Sequence, residues 1–296
     1  MSFVNIKQDK TSLGQVVSIV PESTIKEENY LQMVVRRFIK HKLAVIGLFV
    51  MIVLGLMAIF APLIAPYNPY TVNETFSAPP TTEHWLGTDQ VGRDILSRLI
   101  YAARVSLMVG VGAVAISVAI GTILGLLSGY YGGKIDMVIM RLTDVFMSFP
   151  HLMLILVVVS VVGPSLTNVI LVMGLLFWTG VARLVRGSVL QVKQLDYVKA
   201  SIVLGLSTPR ILFQHILPNV IAPILVNGTF GIAAAIIIEA SLSFLGLGVQ
   251  PPTASWGNML TDAQSLTVLS SMPWVWVPPG LLIMLTVLSV NFIGDG

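Results

Sequence analysis

Val105–Ser128 reads VSLMVGVGAVAISVAIGTILGLLS, 24 residues without one charge. A helix rises about 1.5 Å per residue and the hydrocarbon of a bilayer is about 30 Å thick, so roughly 20 apolar residues cross it. Five more runs of this kind lie at about Leu43–Ile64, Val145–Val162, Leu166–Ala182, Val220–Leu245 and Trp274–Ile293. Barrel strands would instead alternate over about ten residues. These runs are apolar all round, and the expectation is an all-α integral membrane fold of six transmembrane helices.

Composition agrees. Of 296 residues, 55% are hydrophobic and 10% charged, with a mean hydropathy of +0.88. Soluble chains carry about 25% charged residues, so an ordinary cytosolic enzyme and a disordered chain are excluded. A net charge of +3, with no basic cluster interleaved with aromatics, gives no nucleic-acid partner. With no Cys there are no disulfides, thiolate metal sites or Cys nucleophiles.

Placing the charges orients the chain. With the N-terminus inside, seven Lys/Arg precede the first span, among them Lys26, Arg36, Arg37, Lys40 and Lys42. Two (Lys134, Arg141) follow the second span and five (Arg183, Arg186, Lys193, Lys199, Arg210) the fourth, so 14 of 17 face the cytoplasm. The positive-inside rule then places both termini in the cytoplasm. Residues 1–42 read as a cytoplasmic segment, polar and unpatterned over 1–29, and 43–64 as the first span. Residues 65–104 read as an external loop, and 105–293 as a five-helix core containing a cytoplasmic loop at 183–218.

The external loop is Pro-rich at its start. Ile95, Leu96, Leu99 and Ile100 space a short amphipathic helix over Gly92–Ala103, lying on the outer surface, with Thr88 or Asp89 as its cap. Gly121, Gly125 and Gly129 form a small-residue stripe for close helix packing, within this chain or with a sister subunit. Arg141 and Asp144 are spaced to pair on one helix face. His151 follows Pro150, whose ring predicts a kink. Glu239 is the one carboxylate inside a predicted span and reads either as a packing contact or as lining a translocation path.

Within 183–218, Gly205 interrupts a helical pattern. Thr208 suits an N-cap, Pro209 the first helical position, and Pro218 a stop. Ile202, Val203, Leu204, Leu206, Ile211, Leu212 and Phe213 are many apolar residues for a water-facing hairpin. They imply either a docking surface or burial under the chain's own helices.

Lys199-Ala200-Ser201, Gly205 and His215-Ile216-Leu217-Pro218 resemble the "EAA" loop of ATP-binding cassette importer permeases. Ala200, Gly205, Leu217 and Pro218 match its spacing. Lys199, Ser201 and His215 stand where the family has Glu, Ala and Ile. Trp85-Leu86-Gly87-Thr88-Asp89, Gly92-Arg93-Asp94, Glu239–Gly248, Ser255-Trp256-Gly257 and Asn291–Gly296 resemble the peptide-importer branch, in particular the second permease subunit of dipeptide and oligopeptide transporters.

The resemblance implies an importer-type permease fold in a bacterial or archaeal cytoplasmic (inner) membrane. Its implied partners are a sister permease, two cytoplasmic ATPase subunits, an external solute-binding protein and membrane lipid. It implies no catalysis and no cofactor in this chain, with ATP and Mg on the ATPases, and coupling through the 199–218 loop. A Lys at position 199 would want an acidic partner on the ATPase. Relatives in that branch carry nickel or glutathione, so those cargoes stay open beside peptides. The branch normally continues past its final Gly-Asp-Gly with a polar tail, so an end at Gly296 reads as a truncation.

Other chemistries find little support. Gly132-Gly133-Lys134-Ile135 lacks the first Gly and the hydroxyl of a P-loop. An ion-coupled secondary transporter would want several buried carboxylates or histidines, and an intramembrane enzyme a nucleophile–base pair.

Overall fold

The computed structural model describes Arg36 and residues 38–296. The chain divides into two units, Met1–His41 and Lys42–Gly296. In the first, Arg36 and residues 38–40 are helical; the polar segment 1–29 and the basic residues Lys26 and Arg37 lie outside the described residues. In the second, the regular elements are helices, with non-helical stretches over residues 65–94 and 245–255. Among the described residues the sole β-pairing is an isolated bridge between Thr88 and Asp94.

Among the described residues, five helices are long and apolar enough to cross a membrane: Lys42–Ile59, Ile95–Tyr131, Leu166–Val192, Thr208–Phe244 and Pro273–Asp295. A sixth span forms if Gly133–Met147 and His151–Val162, bent by 85°, count as one. The expected kink at Pro150 is thus a break. Pro150 has no N–H to donate and disfavours helical backbone before it. It sits as the N-cap of His151–Val162 with extended ψ.

The segment 65–104 departs from expectation. The amphipathic stretch is not a separate surface helix. It is the first two turns of the 37-residue helix Ile95–Tyr131, because nothing in Ala102–Val105 breaks the helical pattern. Its cap is Asp94, not Thr88 or Asp89: the Asp94 carboxylate accepts from the Ser97 N–H and hydroxyl at 2.7 Å each. His84 Nδ1 lies 2.9 Å from the same carboxylate. Asp89 instead closes the preceding turn, accepting from the Val91 and Arg93 N–H groups and from Arg93 Nε.

Ile95–Tyr131 packs along Leu166–Val192, and the glycine stripe is the reason. A Cβ on Gly125 would fall 2.6 Å from Val185 Cβ and 2.7 Å from the Ala182 carbonyl oxygen. Gly121 and Gly129 meet Val181 and Val189 in the same way. The stripe therefore serves packing within this chain; apolar burial drives little association in lipid, so close approach matters.

Three buried clusters follow along the bundle. One surrounds Trp256, Ile95, Ala102 and Val275. A second joins Val109, Ala113, Ile155, Met173 and Ala235. A third joins Val185, Val189, Val198, Ile211, Ile216 and Val220. The outer faces stay apolar and exposed, as lipid-facing helices require; Phe49 and Ile59 are each 67% exposed.

Asp144 does not pair with Arg141. Its partner is Arg183 at 2.8 Å, on the neighbouring helix. Nearby, Arg186 grips Asp136 with Nε and Nη2 at 2.5 and 2.6 Å. Both pairs tie the first half of the broken span to Leu166–Val192, a link between helices that spacing along one helix does not reveal.

Candidate functional site

The helix Leu166–Val192 carries the first ten residues of the expected 183–218 loop. The hairpin proper begins with Asp196–Val203. Val198 points inward, Lys199 and Ala200 are exposed, and Ser201 is buried, its hydroxyl donating to the Tyr197 carbonyl at 2.7 Å.

The helix ends at Gly205, whose φ is +75°. The Gly205 N–H donates to the Ile202 carbonyl at 3.0 Å and the Leu206 N–H to the Ser201 carbonyl at 3.2 Å. These are the two bonds of a Schellman motif, which needs a left-handed residue at this position. Glycine takes that conformation without steric cost.

The second arm starts at Thr208, one residue earlier than a Thr208 cap would give, with Ser207 in the capping position and Pro209 in the first turn. Pro218 does not stop it. Ile211–Ile216 winds as a π-helix and runs directly into Leu217–Phe244, with Pro218 in that helix's first turn. The wider winding removes the demand for the i→i−4 bond that proline cannot donate. The His215 carbonyl accepts from Asn219 Nδ2 at 2.7 Å, and its half-buried ring lies 6.5 Å from the Tyr197 ring across the hairpin. Leu217 is half-buried and Pro218 exposed.

The apolar residues of the hairpin divide between two faces. Val198, Ile211, Leu212 and Ile216 are buried against the chain's own helices. The tip is bare: Val203 is 86%, Leu204 80% and Phe213 62% exposed, flanked by exposed Lys199 and Arg210.

Glu239 lies near the opposite end of the same helix and is fully buried. Its carboxylate accepts from the hydroxyls of Ser243 at 2.7 Å, Ser255 at 2.8 Å and Ser106 at 3.5 Å. Ser106 in turn accepts from the Trp256 N–H, and Trp256 Nε1 donates to the Leu99 carbonyl. The Glu239–Gly248 and Ser255-Trp256-Gly257 motifs are thereby joined to the long helix. This is the geometry of a packing contact. Beside the knot, burial and the nearby Asp89 push the Asp262 carboxyl above the usual carboxylate range.

Between the hairpin and this knot, residues of five helices line an open-sided cavity of about 350 Å³. Ser117, His151 and Asn227 are its polar wall residues; Val114, Val118, Met147 and Phe177 are among the apolar ones. Glu239 does not line it. Sequence reading singled out His151 only for its kink, and missed Ser117 and Asn227. The available signal was a hydroxyl or an amide inside an otherwise apolar run. Among the described residues, no cluster of three His, Asp or Glu could hold a metal ion.

A family profile described as "binding-protein-dependent transport system inner membrane component" matches residues 121–296, and one described as the "N-terminal TM domain of oligopeptide transport permease C" matches residues 29–80. The chain is 43% identical over 258 residues to a dipeptide transport system permease protein of Alkalihalophilus pseudofirmus, covering 87% of this chain and 84% of that one. It is 42% identical to the Bacillus subtilis dipeptide transport system permease protein over 269 residues (90% and 84%). It is also 42% identical to the oligopeptide transport system permease protein of the same organism over 261 residues (88% and 85%).

Proposed function

Because the chain belongs to the family of binding-protein-dependent transport system inner membrane components, a family of multi-pass permeases of the bacterial inner membrane, we propose that it is the permease subunit of an ATP-driven peptide importer. It forms half of the translocation pathway, beside a sister permease. An external solute-binding protein delivers the cargo, and two cytoplasmic ATPases drive the cycle with ATP and Mg. The chain itself catalyses nothing.

The observation that carries the coupling role is the bare tip of the hairpin. Val203, Leu204 and Phe213 are exposed apolar side chains of the hairpin, and such residues on soluble faces mark docking sites. The tip is held rigidly from below by Ile211 and Ile216, so a push on it is passed into the helix Thr208–Phe244 rather than absorbed. Alternating access by rocking of the spans follows when the ATPases close. Exposed Lys199, at the position where relatives place Glu, calls for an acidic partner on the ATPase.

Cross-linking tests the docking directly, since the chain has no native Cys. Leu204→Cys is expected to cross-link to an ATPase subunit in assembled complex with a short bifunctional thiol reagent, while Leu266→Cys, 82% exposed in the native chain at the other end, does not. Equal or absent cross-linking from both positions would contradict the docking role.

A further inference from the structure

The approximately 350 Å³ open-sided cavity lined by the helices Ile95–Tyr131, Gly133–Met147, His151–Val162, Leu166–Val192 and Thr208–Phe244 has a composition that needs a cause. Asn227 sits near the middle of a 37-residue helical run and Ser117 deep within another. The Asn227 amide makes no hydrogen bond to any described residue, and the His151 ring makes only a tilted contact with the Phe177 ring, at 5.9 Å between centroids. An unpaired amide at membrane depth is costly. Such groups persist where they face an aqueous cavity or a pathway.

The fold opens room for them. Gly180, Gly228 and Gly231 line the same space without side chains. The 85° break after Met147 brings His151 to the cavity wall. No Asp, Glu, Lys or Arg lines it. What remains along the apolar wall is the Asn227 amide, the His151 ring, and the Ser117 hydroxyl, which donates to the Val114 carbonyl at 3.0 Å and is left to accept. A primary amide offers one donor side and one acceptor side, the same pair that each peptide unit of a cargo presents.

On the transport reading above, we infer that this cavity is where the chain holds the backbone of a peptide in transit, with Asn227 hydrogen-bonding a peptide unit and His151 and Ser117 beside it. Because no Asp, Glu, Lys or Arg side chain faces the cargo, this half of the pathway passes anionic and cationic peptides alike.

The test is a charge placed at position 227. In reconstituted full complex, Asn227→Asp is expected to lower uptake of acidic tripeptides relative to basic ones by about tenfold, as a like charge a few ångströms away in a poorly solvated site requires. Asn227→Leu is expected to slow both cargoes equally. To separate this from misfolding, Asn227→Cys is assembled first and then modified with a sulfonate-bearing or an ammonium-bearing methanethiosulfonate; the wild-type chain, free of Cys, is the control. The two reagents are expected to shift the acidic-to-basic uptake ratio in opposite directions. An unchanged ratio in both Asn227→Asp and the modified Cys variant would overturn the site while leaving the transport reading intact. Failure of the wild-type complex to import any peptide would overturn the transport reading instead.

Discussion

Gly205→Val is expected to abolish transport while leaving the chain inserted in the membrane and assembled with its sister permease. The turn at Gly205 has a φ of +75°, and its two Schellman bonds close the helix Asp196–Val203. A left-handed residue with a side chain costs roughly 1–2 kcal/mol, and a β-branched one is a conformational outlier there. No atom lies within 4 Å of where a Cβ would stand, so the strain is in the backbone and not from a clash within the chain. The hairpin relieves it by turning the bare tip, Val203 and Leu204, away from its docking position. This gives an order among variants: Gly205→Asn, which tolerates the left-handed region, keeps most activity, Gly205→Ala loses more, and Gly205→Val loses all. Uptake per assembled complex is the measurement, and full uptake by the Val variant would remove the hairpin from the coupling mechanism.

Glu239→Leu is expected to prevent recovery of stable complex. The carboxylate collects three hydroxyl donors in a fully buried knot. Its loss strands Ser243, Ser255 and Ser106, at about 1–3 kcal/mol for each buried group left unmet. It also frees the contact through which Ser106 holds Trp256. For a chain of this size, about 3 kcal/mol corresponds to a fall of roughly 6–12 °C in the unfolding midpoint. Glu239→Gln keeps an acceptor oxygen and is expected to lose less. Thermal unfolding of purified complex decides the matter. A Glu239→Leu variant of normal stability with altered cargo preference would place Glu239 in the pathway rather than in the packing.

Much of the fold was legible in the sequence because a bilayer imposes length and apolarity on each span. Five of the six runs fall on the observed helices while Val145–Val162 straddles the break at Pro150, and the Gly121, Gly125, Gly129 stripe found its partners in Val181, Val185 and Val189. Gly205 was legible for a different reason: a break in helical pattern at a residue tolerant of positive φ has few structural outcomes. What escaped depends on continuity or on partners distant in sequence. Thr88, Asp89 and Asp94 are all competent caps, and only the fold of the preceding loop decides that Asp94 caps Ile95–Tyr131. Pro218 reads as a stop until the π-helical turn Ile211–Ile216 absorbs it. Asp144 lies three residues from Arg141 yet meets Arg183, because the broken span folds against the next helix. The cavity wall of Ser117, His151 and Asn227 draws on three separate helices, so no local pattern announces it.

The most direct test of the central claim reconstitutes the chain with its sister permease, the two ATPases and a peptide-loaded binding protein in proteoliposomes. The account predicts peptide accumulation that requires ATP and Mg, with ATP hydrolysis stimulated by the loaded binding protein. Accumulation driven by an ion gradient in the absence of the ATPase subunits would contradict it.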